Sequence, residues 1–132
     1  MICDAMQALE LSFDRIFSSP YRRASQTAEI VAAALGLKKT LEYCEDLTPE
    51  SGPRSMIRYL CRLQAAPDNV LLVGHEPHLS RLMSQLIAGE PVATIDLKKA
   101  GLARLEIEGA LRTSRCATLS WLLTPKQMAL MV

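Results

Sequence analysis

The 132-residue chain has little net charge, no closely spaced cysteines and no long apolar run. Its basic and acidic side chains nearly balance, at a formal net charge of +1, which gives no reason to expect a nucleic-acid partner. No apolar run approaches the length of a membrane span, and the amino terminus lacks a secretory pattern. We therefore expect a cytoplasmic protein with no membrane partner.

The cysteines and glycines exclude two further classes of site. Cys3, Cys44, Cys61 and Cys116 form no C-x-x-C pair, so we expect reduced thiols and no zinc site. Neither G-x-G-x-x-G nor G-x-x-x-x-G-K-[ST] occurs after a strand-like segment, which disfavours a plain nucleotide-binding domain. The length suits one domain with a sizeable core, and we predict a single domain over residues 1–132.

Helix-like and strand-like segments alternate along the chain, which predicts an α/β fold. The segment "NVLLV" is apolar throughout, as in a parallel strand buried on both faces. The last two strand-like segments read as a pair near a sheet edge. The predicted helices cover residues 2–9, 20–35, 53–66 and 77–88 and a short segment from Pro125, and the predicted strands cover residues 15–18, 40–43, 69–73, 102–107 and 117–123.

The helix over residues 20–35 carries two arginines in its first turn. Ser19 is a suitable N-cap, Pro20 suits the first helical position, and Gly36 ends the pattern. Arg22 and Arg23 then oppose the positive end of the helix dipole unless an anion is present. Two alternatives stay open here, which are an anion site and a pair of solvated arginines.

His75 follows the buried strand and precedes the next helix, which is where ligands bind in open α/β sheets. Ser19 and Arg23 hold the corresponding position after another strand. If those two strands are neighbours, the arginine and the histidine converge on one crevice. The alternative for His75 is a structural residue at a strand end, whereas His78 is expected only as a surface or helix-packing residue.

Two long motifs resemble the histidine phosphatase (phosphoglycerate mutase-like) superfamily. The segment "SSPYRRASQTAE" is similar to its S-P-x-x-R-A-x-Q-T block, and "VLLVGHEPHLS" to the block of its second catalytic histidine. The shorter "DLTP" and "WLLTPKQM" are similar to the SixA-type phosphohistidine phosphatases within it. The resemblance implies a three-layer α/β/α fold with a mostly parallel sheet, and a reaction without metal or other cofactor.

The resemblance also implies roles for individual residues. A nucleophilic histidine would take the phosphoryl group, Arg23 would be a phosphate clamp, and His75 would be the second histidine. Ser19 and Glu76 are expected as further phosphate-binding residues. The implied substrate is a phosphohistidine on a phosphorelay-type protein, or a small phosphate ester. The loop carboxylates Glu45, Asp46 and Glu50 are either general-acid candidates or surface residues.

One part of the family pattern is absent from the sequence. The family opens with a strand ending in R-H-G, whose histidine is the nucleophile, and no such triplet occurs among these residues. We expect either an N-terminally truncated form of an active phosphatase or a catalytically silent domain that binds phosphate or a partner. A missing central strand would leave backbone groups of its neighbours to pair with each other or with another chain, so self-association is an expected option.

Overall fold

Helices and strands alternate as the sequence predicts, in a computed structural model that describes residues 2–131. The predicted helix over residues 53–66 is shorter than expected and ends at Cys61. Short 3₁₀ turns, Lys38–Thr40 and Glu45–Leu47, flank the second strand. The helices are α1 (Ile2–Ala8), α2 (Arg22–Ala34), α3 (Pro53–Cys61), α4 (His78–Ala88) and α5 (Pro125–Ala129), and the strands are β1 (Arg15–Ser18), β2 (Leu41–Tyr43), β3 (Val70–Val73), β4 (Leu102–Ile107) and β5 (Ala117–Leu123).

A three-stranded parallel sheet lies at the centre, in the order β2-β1-β3. Ile16 of β1 lies opposite Leu41 on one side and Leu71 on the other. The ladder continues past the end of β1, where the backbone N–H of Ser19 donates to the carbonyl oxygen of Val73 at 2.9 Å. The strands that precede Ser19 and His75 are therefore neighbours.

Helices cover both faces of this sheet, which confirms the three-layer α/β/α architecture. On one face α1, α2 and α5 enclose a core that includes Ala5, Met6, Ile16, Val31, Ala32, Leu71 and Met128. On the other face α3 and α4 enclose a second core that includes Phe17, Leu47, Met56, Ile57, Leu82 and Leu86. Successive residues of β1 point to opposite faces, so Ile16 and Phe17 belong to different cores.

β3 is less buried than its apolar sequence predicts. Leu71 is buried, but the other three residues of the strand are only half-buried. The reason is that β3 pairs with β1 on one side and has no partner strand on the other among residues 2–131. The predicted pair of late strands is confirmed, but β4 and β5 form a separate antiparallel sheet of two strands.

The helix after β1 begins later than predicted. α2 starts at Arg22, and the residue before it is Tyr21, whose side chain makes no capping hydrogen bond. Ser19 is not the N-cap, because the helix begins at Arg22 and Tyr21 therefore holds the N-cap position. The predicted end is confirmed: Gly36 has a φ of +71°, and the N–H of Leu37 donates to the carbonyl of Ala32 at 2.7 Å, as in a Schellman ending.

Candidate functional site

The turns after β1 and β3 meet through a hydrogen bond between their side chains. Ser19 is fully buried, and its Oγ lies 2.8 Å from Nε2 of His75. The same oxygen accepts a 3.2 Å hydrogen bond from the N–H of Tyr21. Two of the predicted site residues, Ser19 and His75, are thus brought together at the carboxyl ends of adjacent parallel strands, where ligands bind in this class of fold.

Tyr21 and Glu50 extend this cluster; Tyr21 was not predicted to take part in it, and Glu50 was one of three general-acid candidates. The Tyr21 ring lies 5.6 Å from the His75 ring, centroid to centroid, with the ring planes tilted by 53°. The Tyr21 hydroxyl donates a 2.8 Å hydrogen bond to Oε2 of Glu50. This bond raises the pKa of Tyr21 and lowers the pKa of Glu50 from its ordinary value. Glu50 is therefore a carboxylate at neutral pH.

The other two loop acids lie apart from this cluster in their contacts. The Cys44 thiol points to Oδ2 of Asp46 at 3.9 Å, whereas Glu45 is exposed and contributes its backbone carbonyl to the loop. Burial is the main cause that raises the pKa of Cys44, which keeps that thiol protonated. Of the three candidates, only Glu50 bonds to a residue that contacts His75.

Arg22 and Arg23 are both exposed in the first turn of α2. Among residues 2–131, the guanidinium of Arg23 makes no hydrogen bond or salt bridge to another side chain or carbonyl. The first N–H groups of α2 also have no side-chain acceptor, because Tyr21 provides no cap. Donors and positive charge at this helix end are available to an external anion, and the clamp role of Arg23 stays a prediction.

The side chain of Glu76 points toward α4, the helix that follows it in the chain. Its Oε2 accepts a 2.8 Å hydrogen bond from the N–H of Ser80, and the Ser80 hydroxyl bonds to Oε1. A carboxylate at this position satisfies an unpaired donor of α4 and complements the helix dipole. The phosphate-binding role of Glu76 stays a prediction, and the geometry adds a capping role.

His78 is a buried packing residue and not a surface residue. Its side chain is only 2% exposed, and neither ring nitrogen makes a well-formed hydrogen bond within the described part of the chain. Burial is the main cause that lowers its pKa below 6.5; His75 and Arg81 act in the same direction, and Gly52 and Glu76 oppose it. We assign His78 to the packing of α4 and not to the site.

No group of three or more His, Cys, Asp or Glu side chains within residues 2–131 is arranged to hold a metal ion. The four cysteines are free thiols. No helix in the described part of the chain is long and apolar enough to cross a membrane.

Three comparisons with known proteins indicate the family and the fold of the chain. Residues 4–48, which include β1 and α2, match the sequence profile of the histidine phosphatase superfamily (branch 1). An uncharacterized protein of Picosynechococcus sp. is 37% identical over 113 residues, which cover 85% of this chain and 67% of that protein. Phosphohistidine phosphatase SixA of Escherichia coli is 29% identical over 91 residues, covering 68% of this chain and 56% of SixA.

The fold comparison gives the same class. A structure of the protein histidine phosphatase SixA complexed with tungstate superposes with a TM-score of 0.79 and 24% identity, covering 95% of this chain and 77% of that one. The matched part of the chain spans about two thirds of the Picosynechococcus protein and just over half of Escherichia coli SixA. It belongs to the histidine phosphatase superfamily, and it has the fold of the SixA phosphohistidine phosphatases.

Proposed function

We propose that the junction of Ser19 and His75, together with Arg23, is the phosphate-binding end of a phosphohistidine phosphatase that acts on a phosphorelay-type protein. The observation that carries the proposal is the 2.8 Å contact between His75 Nε2 and Ser19 Oγ, which joins the turns after two parallel strands. Family membership supports the reaction class, and the tungstate bound by a related SixA supports a tetrahedral oxyanion as ligand.

The chemistry of the site suits a phosphoryl group. The guanidinium of Arg23 offers a planar fork of donors, which matches phosphate oxygens and is always charged. The free N–H groups at the start of α2 add oriented donors. When the His75 ring carries its proton on Nε2, that nitrogen can donate to a phosphoryl oxygen in exchange for its hydrogen bond with Ser19 Oγ. These groups would stabilise the charge on the equatorial oxygens during transfer.

A phosphohistidine substrate fits the acid–base character of the site. An alkyl phosphate requires a proton for its departing alkoxide, whereas a phosphohistidine imidazole can leave already protonated. Glu50, the carboxyl group nearest to this cluster in its contacts, has a lowered pKa and so lacks a proton to donate at neutral pH. This supports phosphohistidine over a small phosphate ester.

A second candidate function is a catalytically silent domain that binds phosphate or a phosphorylated partner. The reaction needs a nucleophilic imidazole, and the 132 residues contain two histidines and no R-H-G triplet. His78 is buried, and His75 is hydrogen-bonded to Ser19. We therefore expect the 132-residue chain by itself to bind phosphate without forming a phosphohistidine intermediate.

We further propose that residues 1–132 act as one cytoplasmic domain and that β3 supports self-association. Among residues 2–131, the side of β3 away from β1 presents unpaired backbone N–H and C=O groups between apolar side chains, which is a template for pairing with another strand. Sedimentation velocity over a concentration series should show a dimer forming as concentration rises. A monomer at every concentration would contradict this part of the proposal.

Calorimetric titration of the chain with inorganic phosphate tests the binding site. We expect saturable binding that is weakened in Arg23→Ala and His75→Gln, and equal binding in these variants would refute the assignment. Incubation with a phosphohistidine peptide then tests whether these 132 residues turn the substrate over, because turnover releases inorganic phosphate and binding alone does not. We expect no release by the 132-residue chain, and labelling of His75 would contradict that expectation.

A further inference from the structure

Tyr21 and Glu50 are joined beside His75, although neither has an assigned role in the family motifs. Tyr21 stands at an unspecified position of the S-P-x-x-R-A-x-Q-T block, and Glu50 follows the short "DLTP" segment. They come from different parts of the chain: Tyr21 precedes α2, and Glu50 lies in the loop between the 3₁₀ turn Glu45–Leu47 and α3. Their hydrogen bond therefore ties two loops together at the His75 turn.

His75 is held from two sides by the turn between β1 and α2. Ser19 Oγ fixes the position of Nε2, and the Tyr21 ring lies against the imidazole ring. Two directional contacts from a single turn restrict both the position and the tilt of the imidazole. Tyr21 is itself 43% exposed, so packing alone holds its ring weakly. The bond from its hydroxyl to Glu50 supplies the missing constraint.

Hydrogen bonds connect the two ends of the loop that carries Glu50. The Thr48 hydroxyl donates to the carbonyl of Glu45 at 2.9 Å and lies 2.9 Å from the Ser51 hydroxyl. Ser51 also donates to the Glu45 carbonyl at 3.0 Å. These bonds close residues 45–51 into a compact loop on either side of Glu50, because they connect its two ends.

We propose that Tyr21 and Glu50 are a positioning pair that fixes the orientation of the His75 imidazole. Glu50 accepts a hydrogen bond from the Tyr21 hydroxyl, and the Tyr21 ring lies against the His75 ring. Ser19 adds a hydrogen bond to Nε2 of His75. An imidazole ring whose orientation is already fixed loses less rotational freedom when a ligand binds to it, which is how supporting contacts strengthen a binding group. The consequence for phosphate affinity rests on the proposed function, whereas the orientation of the ring does not.

The imidazole signals of the protein give a direct test. The chain has two histidines, so ¹⁵N-histidine labelling yields two ring systems, with buried His78 as an internal reference. Tyr21→Phe keeps the ring and removes the hydroxyl, and Glu50→Ala removes the acceptor. We expect both variants to shift the His75 ring signals in the same way, and the double variant to shift them no further. Unchanged signals, or additive shifts, would overturn the proposal.

Two variants sharpen this test. Glu50→Gln keeps an acceptor oxygen for the Tyr21 hydroxyl, so the His75 signals should return close to those of the unchanged protein. A Gln variant that behaves like the Ala variant would count against the proposed bond. Tyr43→Phe is the matched control. Tyr43 donates a hydrogen bond of the same 2.8 Å length to Glu29 of α2, and this pair lies outside the cluster around His75. It should leave the His75 signals unchanged.

Phosphate affinity supplies a second readout. Tyr21→Phe should weaken the binding of inorganic phosphate about threefold to tenfold, the effect of about one net hydrogen bond. Tyr43→Phe should leave it unchanged. If the unchanged protein binds no phosphate while the His75 signals respond as expected, the proposed function fails and the positioning pair stands. If phosphate binds and the signals do not respond, only the positioning pair fails.

Discussion

The two strand–turn–helix units of the site are β1–α2 and β3–α4. They differ in whether a nearby carboxylate accepts hydrogen bonds from the first turn of the helix. Each turn contains a proline, Pro20 or Pro77, and neither residue that precedes the helix supplies a side-chain cap. In β3–α4, however, Glu76 accepts hydrogen bonds from Ser80 and so occupies donors of its own helix. In β1–α2 no side chain caps the first turn of the helix. The start of α2 therefore has donors available for the anion that we propose, and His75 comes from the other unit.

The two strands also differ in their burial. β1 is central, with a partner on each side, and Ile16, Phe17 and Ser18 are fully buried. β3 is at the edge and is largely half-buried. The turn with Ser19 thus stands on the better-supported strand. The His75 turn depends more on contacts made beyond the strand, such as those with Ser19 and Tyr21.

The largest effect should come from truncating the central strand. Ile16→Ala should lower the free energy of unfolding by about 3–4 kcal/mol, because it opens a cavity in a fully buried site. Leu72→Ala on the edge strand should cost only about 1–2 kcal/mol, since Leu72 is half-buried and its neighbours can move. Urea unfolding followed by circular dichroism measures both. Equal losses would show that the two strands are equally supported.

The next effect concerns the open helix start. Arg23→Ala should weaken phosphate binding about tenfold to hundredfold, because a charge-assisted hydrogen bond is lost. Arg22→Ala is the matched control in the same turn and should weaken binding less than threefold, through long-range charge alone. Calorimetric titration at constant ionic strength gives both ratios. The assignment fails if the two variants lose affinity equally or if Arg22 matters more.

A smaller effect is expected at the capped helix start. Glu76→Ala should lower the free energy of unfolding by about 1 kcal/mol, since α4 loses a cap and a favourable dipole interaction. Glu76→Gln keeps an acceptor oxygen and should cost about half as much. If Glu76 is a cap and nothing more, neither change weakens phosphate binding. A marked loss of phosphate affinity would instead support the predicted binding role of Glu76.

The effect that is smallest at neutral pH should be the pH dependence of stability that His78 of the same unit causes. Burial lowers the folded-state pKa of His78 below 6.5, so the unfolded chain binds more protons as the pH falls below that value. The stability contribution of the neutral ring is complete above about pH 6.5 and declines below it, by at most about 1.4 kcal/mol per pH unit. His78→Leu should have a shallower decline between pH 6.5 and 5, measured by urea unfolding. Parallel profiles would contradict this.

Patterns that depend on local sequence predicted much of the fold. The alternation of elements and the end of α2 at Gly36 followed from periodicity and turn chemistry. The meeting of the Ser19 and His75 turns was expected only on the condition that their strands are neighbours, and the structure supplies that condition. Contacts between distant segments could not be predicted in this way. Ser19 was expected to cap α2, but the helix begins only at Arg22, and the Ser19 hydroxyl bonds to His75 in the turn after the neighbouring strand. The bond from Tyr21 to Glu50 spans 29 residues and has no local signal.

The sequence of β3 likewise did not predict that this strand lies at the edge of the sheet. An apolar run predicts burial, but burial depends on which strands are present on either side. The neighbour on the β1 side is present, whereas the other side is free among residues 2–131. The apolar sequence of a strand indicates that the strand can be buried on both sides. How far it is buried depends on which strands pair with it in the tertiary structure.

The account can be tested most directly by locating a bound oxyanion in crystals of the chain grown with sodium tungstate. The tungsten atom is found without ambiguity from its anomalous scattering. The account predicts tungstate at the start of α2, with its oxygens within hydrogen-bond reach of the Arg23 guanidinium and of His75 Nε2. Tungstate at the start of α4, at the surface lysines Lys38 and Lys39, or at no defined position would contradict it.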